Sequence, residues 1–202
     1  MHNLRDYLLI TFAYWGFTLT DGALRMLVLL HFHTLGYSPL QIAFLFLFYE
    51  FFGIVTNLLG GWLGALMGLR TTLFAGLALQ VIALCILALL DPQWSIGFAV
   101  IYVMFAQALS GIAKDLTKMS SKSAIKFVVK ENAQGTLFKW VAILTGSKNA
   151  LKGAGFFMGG LLLATLGFAN SLYAMAATLF LILITSVLLL PGEMLSLIHI
   201  SE

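Results

Sequence analysis

The chain has 202 residues, of which 61% are hydrophobic and only 9% charged, and its mean hydropathy is +1.01. A soluble domain carries about 25% charged residues, so this composition excludes a water-soluble globule: too little polar surface is available to cover one. The formal charge of +3 then reads as a topology signal rather than as a sign of nucleic-acid binding.

Apolar runs of about 20 residues read as membrane-crossing helices. Six are expected, over residues 7–32, 39–67, 71–90, 95–114, 145–167 and 170–190. Short breakers separate most of them: HTLGYSP, MGLR and DPQW. Pro39 opens the second span, where its missing N–H is harmless. Tyr37 and Trp94 fall at interfaces, as belt aromatics do. The first run is too long and too charged for a cleavable signal peptide. The single cysteine, Cys85, lies inside an apolar run and reads as a small hydrophobe.

Basic residues divide unevenly between the two sides. With the N-terminus inside, Arg5, Arg70, Lys114, Lys118, Lys122, Lys126, Lys130 and Lys139 all fall inside. The outer connections near residues 33–38, 91–94 and 168–169 hold no Lys or Arg. The positive-inside rule therefore puts both ends in the cytoplasm. Residues 114–144 form the one long connection, a basic cytoplasmic segment. Its lysines at 114, 118, 122, 126 and 130 recur every fourth residue, a drifting stripe on one helical face. Ile125, Phe127, Val128 and Val129 lie near its far end. One reading is a solvated helix beside anionic headgroups. The sharper one is an electropositive vestibule that gathers an anion, with Lys114 among its ligands.

Ionisable side chains also lie within the spans. The first carries Asp21 and Arg25 in TLTDGALRM, the second Glu50 in FLFYEFFG, and the fifth Lys148 and Lys152 in TGSKNALKGAG. A charge at a span centre costs about 2.5–3.5 kcal/mol on insertion scales and normally faces a cavity or a partner. Asp21 and Arg25 are spaced i,i+4 and can pair with each other. Glu50, at similar depth on the returning helix, is the alternative partner for Arg25, and the pair would then lock spans one and two. Lys148 is shallow enough to snorkel to the surface; Lys152 lies about a turn deeper. Arg25 with the lysines makes a positive cavity, suited to phosphate or carboxylate groups that Arg binds bidentately. The candidate substrate-binding set is thus Arg25, Lys148, Lys152 and Lys114, with Asp21 and Glu50 as proton carriers or ion-pair partners.

Gly60, Gly64 and Gly68, and Gly155 and Gly159, are spaced four apart and read as helix-packing seams. His31 and His33 point to different helical faces, so they read as interfacial residues and not as metal ligands. No cofactor is expected, and no G-x-x-x-x-G-K-[ST] phosphate loop occurs.

Two short motifs resemble the major facilitator superfamily. GGWLGALMGLRTT looks like its signature loop G-x-x-x-D-R-x-G-R-R, with Gly61, Gly68 and Arg70 in place but Ala65 and Leu66 replacing the Asp and Arg. GFFMGG is similar to the tail of the antiporter motif G-P-x-x-G-G, with Phe156 for Pro. A longer resemblance covers nearly all of residues 4–190. The stretches YWGFTLTDGALRMLVLLHFHTLGYSPLQIAFLFLFYEFFG, AQALSGIAKDLTKMSSKS and WVAILTGSKNALKGAGFFMGG look like the organoarsenical efflux permeases called ArsJ. That resemblance implies export of 1-arseno-3-phosphoglycerate, the product of a glyceraldehyde-3-phosphate dehydrogenase acting with arsenate, and hence arsenate resistance. It implies a functional partnership with that dehydrogenase, residence in a bacterial inner membrane, and proton antiport. It also implies about twelve spans, so the chain reads as the six-helix N-terminal half of a major facilitator. A missing C-terminal half, or a second copy in a homodimer, would complete it. Residues 191–202 form a tail: after LLLPGEM, the string LSLIHISE resembles a translated sequencing adapter, which implies a truncated read whose last residues are not native.

Two other classes compete. DGALR is similar to the D-G-x-x-A-R start of the alcohol phosphatidyltransferases, but that site needs further acids at G-x-x-x-D-x-x-x-D spacing, and no Asp follows Arg25 until Asp91. A non-transporting six-span protein has no need of Arg25 or Lys152 in apolar helices. An exporter of another phosphorylated or carboxylated anion remains open.

Overall fold

The computed structural model describes residues 2–124 and 134–190. The far end of the lysine stripe, from Ile125 to Lys130, and the tail 191–202 lie outside the described residues. Among these, every element is helical: α1 (His2–Thr34), α2 (Pro39–Leu45), α3 (Leu47–Ala88), α4 (Ile96–Ala124) and α5 (Gln134–Leu189). The expected all-α fold is what forms.

Local chemistry explains where the helices start and bend. Ser38 caps α2: its hydroxyl accepts from the Gln41 N–H at 3.3 Å, and the Gln41 side chain accepts from the Ser38 N–H at 2.8 Å. This reciprocal pair satisfies two donors that the helix leaves open. Pro39 follows at the first helical position. The two longest helices are bent, α3 at Gly68 (φ 74, ψ 160) and α5 at Gly167 (φ 75, ψ −179). Only glycine occupies that backbone region without strain. At each bend a hydroxyl four residues on takes up the glycine carbonyl. Thr72 donates to Gly68 at 2.7 Å and Ser171 to Gly167 at 2.5 Å.

The described residues therefore make six helical passages: α1, α2 continued by the first part of α3, the rest of α3, α4, and the two parts of α5. Gly68 lies one residue beyond the end of the second span as read from hydropathy, and Gly167 is the last residue of the fifth. The expected loop at MGLR is a one-residue break, not a separate connection. Pro39–Gly60, Gly68–Ala88, Ile96–Ala124 and the 52-residue Phe138–Leu189 are long and apolar enough to cross a membrane; about 20 residues suffice for one crossing. α1 is as long but more polar.

Burial is inverted relative to a soluble protein. Leu58, Phe138, Phe157 and Leu188 are each more than three-quarters exposed, while Asp21, Gln80, Gln107, Asp115, Ser120 and Ser121 are buried. An apolar outside around a polar inside is the arrangement that hydrocarbon selects. The chain is an integral membrane protein.

Contacts tie together matching ends of the passages. At one end, Arg5 donates to the Leu189 carbonyl at 3.1 Å and Arg70 to the Val187 carbonyl at 3.2 Å, both closing the C-terminus of α5. Cations there also complement the helix dipole. At the other end, His31 stacks on Phe168, ring centroids 3.9 Å apart, which places this histidine in an aromatic cluster.

The described parts of the basic segment 114–144 are helical. Its first eleven residues continue α4 to Ala124, and its last eleven open α5 from Gln134. The reason lies between the lysines: Leu116, Thr117, Ser120, Ser121 and Ala124 give α4 a second, small-residue face that is buried.

Candidate functional site: a cationic cavity between four helices

Two close helix seams set the walls. Along α1 and α5, Gly22 faces the Lys152 backbone and Gly155, and Gly159 faces the Ala23 backbone. A Cβ at Gly22 would stand 2.8 Å from the Lys152 carbonyl oxygen, so the helices can come this close only without side chains. Along α3 and α4, Gly111 lies against the Tyr49 backbone. The expectation for Gly155 and Gly159 as seam residues fits these contacts. Gly64 has open space where a Cβ would stand, and Gly68 is the bend, so neither belongs to a seam.

Asp21 precedes Gly22, and Lys152 is one turn from Gly155. The close seam therefore delivers these charged side chains to one place. There a cavity of about 220 Å³ is lined by Asp21, Arg25, Glu50, Lys114, Lys148 and Lys152. These are all six side chains singled out from the sequence. Lys118 lines it too, with Tyr14, Phe17 and Thr18 from α1.

The pairing differs from the intrahelical Asp21–Arg25 contact that the i,i+4 spacing allows. Arg25 instead donates to Glu50 Oε1 at 2.7 Å, and its guanidinium stacks over the Tyr49 ring, 4.2 Å from the centroid. Asp21 accepts from the Tyr49 hydroxyl at 2.6 Å. Tyr49 is fully buried, so its ring is a fixed wall between the two groups. Lys114 Nζ lies 4.3 Å from the centroid of the same ring. Stacking on an aromatic face holds a cation by the ring quadrupole.

Two carboxylates bridge cations in the same way. Glu50 places Oε1 on Arg25 at 2.7 Å and Oε2 near Lys114 at 3.7 Å. Asp115 places Oδ1 on Lys118 at 2.7 Å and Oδ2 near Lys114 at 3.7 Å. Their surroundings are opposite: the Glu50 side chain is 55% exposed, that of Asp115 only 4%. Exposed ion pairs contribute about 0–1 kcal/mol, whereas breaking a buried one costs about 3–5 kcal/mol. Asp115 is therefore a fixed counter-ion and Glu50 a loosely held one. Lys148 and Lys152 have no carboxylate partner among the described residues. Five cations against Asp21, Glu50 and Asp115 leave a formal excess of two positive charges. Lys148, partly buried, lines the cavity.

Sequence reasoning missed Asp115 and Tyr49. Asp115 sits within KDLTK, where the lysine stripe drew the reading outward. Tyr49 gives no charge signal at all; only its position before Glu50 marks it. No group of metal-ligating side chains occurs among the described residues.

No protein-family model and no curated protein matches the chain. Among solved structures it is similar to a crystal structure of a mutant peptide transporter POT in complex with sulfate. The TM-score is 0.63 at 19% identity, covering 91% of this chain and 37% of that one. The likeness shows the fold alone: the helices are arranged as in part of that transporter. The chain spans about a third of the length of that protein.

Proposed function

We propose that the chain is the N-terminal half of a secondary transporter that exports an organic anion, 1-arseno-3-phosphoglycerate first among the candidates. The observation that carries this reading is the cavity: five cationic side chains from α1, α4 and α5 converge on one space, with excess positive charge. Such a site suits a multiply charged oxyanion. Arg25, Lys114, Lys148 and Lys152 are the substrate ligands. Asp21 and Glu50 are the exchangeable acids of a proton antiport. A second half, or a second copy, completes the carrier, and a glyceraldehyde-3-phosphate dehydrogenase supplies the substrate. The membrane is a bacterial inner membrane with both ends of this half in the cytoplasm, on the side of Arg5 and Arg70.

The test is arsenic uptake into everted vesicles carrying the completed carrier. Uptake is expected only when the dehydrogenase and its substrates accompany arsenate. Uptake of other phosphorylated anions alone would replace the substrate and keep the carrier. Arg25→Ala is expected to abolish uptake with membrane insertion intact; full activity in that variant would remove Arg25 from the site.

A further inference from the structure

Building on the cavity as an anion site, we propose that Glu50 is a tethered stand-in for the transported anion. Its carboxylate holds the oxyanion position between Arg25 and Lys114 and must swing out before substrate binds there.

The geometry is that of a ligand. One oxygen takes Arg25 at 2.7 Å and the other faces Lys114 at 3.7 Å. A phosphate, arsenate or carboxylate group presents the same pair of oxygens on one centre. Both cations are held without Glu50. Arg25 lies on the Tyr49 ring, which Asp21 locks through the tyrosine hydroxyl. Lys114 lies on the same ring and beside the buried Asp115. Removing Glu50 therefore leaves the two cations in place, with Arg25 freed of its carboxylate partner and Lys114 of one of its two. The Glu50 side chain is also the one exposed carboxylate of the group, at 55%, and so can leave without burying an unpaired charge. It belongs to the first turn of α3, just after the break at Phe46 that separates α3 from α2.

A site filled by its own side chain for most of the time binds its ligand more weakly by the fraction that is open. The empty carrier thus keeps its anion position neutralised, and only an anion that outcompetes a carboxylate enters. This makes Glu50 a specificity residue: singly charged carboxylates gain nothing by replacing it, whereas more highly charged oxyanions do.

The experiment is equilibrium binding of radiolabelled inorganic phosphate to the full chain in nanodiscs, for wild type, Glu50→Gln, Glu50→Asp, Asp115→Asn and Arg25→Ala. Glu50→Gln is expected to tighten phosphate binding about ten-fold. Glu50→Asp, too short to bridge both cations, is expected to tighten it less, and it carries the test if the Gln variant does not fold. Asp115→Asn is expected to give no tightening. Unchanged or weaker binding in both folded Glu50 variants, with Arg25→Ala still abolishing it, would overturn the stand-in role and leave the anion site standing. Binding in none of the proteins would overturn the anion site itself.

Discussion

The described residues contain the same backbone design twice, with different chemistry. The first unit is a straight helix, α1, followed by α2 and the bent α3. The second is the straight α4 followed by the bent α5. Each bend is one glycine with φ near 75°, relieved by a hydroxyl four residues later. The bends sit at opposite ends of the molecule: Arg70 beside the first reaches Val187, and Phe168 beside the second stacks on His31. The charges are not repeated. The first unit brings Asp21, Arg25 and Glu50, formally −1; the second brings Lys114, Asp115, Lys118, Lys148 and Lys152, formally +3. Architecture and cavity charge are thus set by separate residues, and the cavity forms where the unequal units meet.

The comparison is broken most severely at the seam that joins the units. A side chain at Gly159 would meet the Ala23 backbone, which cannot rotate away. Gly159→Leu is expected to cost at least about 3 kcal/mol, read as loss of monodisperse protein in detergent.

The equivalence of the bends can be sharpened directly. Gly68→Ala and Gly167→Ala should each cost about 1–3 kcal/mol, because a Cβ is strained at these angles. The two losses in thermal stability should be similar. A large loss at one bend and none at the other would end the parallel between the units.

Tyr49→Phe removes one hydroxyl from a buried carboxylate and keeps the aromatic wall. A hydrogen bond to a charged group contributes about 1.5–3 kcal/mol, so a lower melting temperature is expected, with Arg25 and Lys114 still stacked. The smallest effect is expected at Gly64, whose missing Cβ faces open space. Gly64→Ala should be neutral or stabilising by up to about 1 kcal/mol; a clear loss of stability would show that this helix face is packed after all.

The amino-acid sequence by itself determined the class of protein, because hydropathy and run length are local sums that no partner can change. It also put span ends within a residue of Gly68 and Gly167, where the long helices bend, though it read Gly68 as a packing seam. It picked out six of the side chains that line the cavity, because a charge in an apolar helix stands out wherever it points. Only the tertiary structure decided the pairings. Arg25 takes Glu50, 25 positions away, over Asp21 on its own face, because the Tyr49 hydroxyl has already taken Asp21. Asp115 becomes the buried anchor of two lysines because the helix that carries the lysine stripe packs its other face against its neighbours. Such choices depend on which helices stand side by side and at what depth, and no single stretch of the chain contains that information.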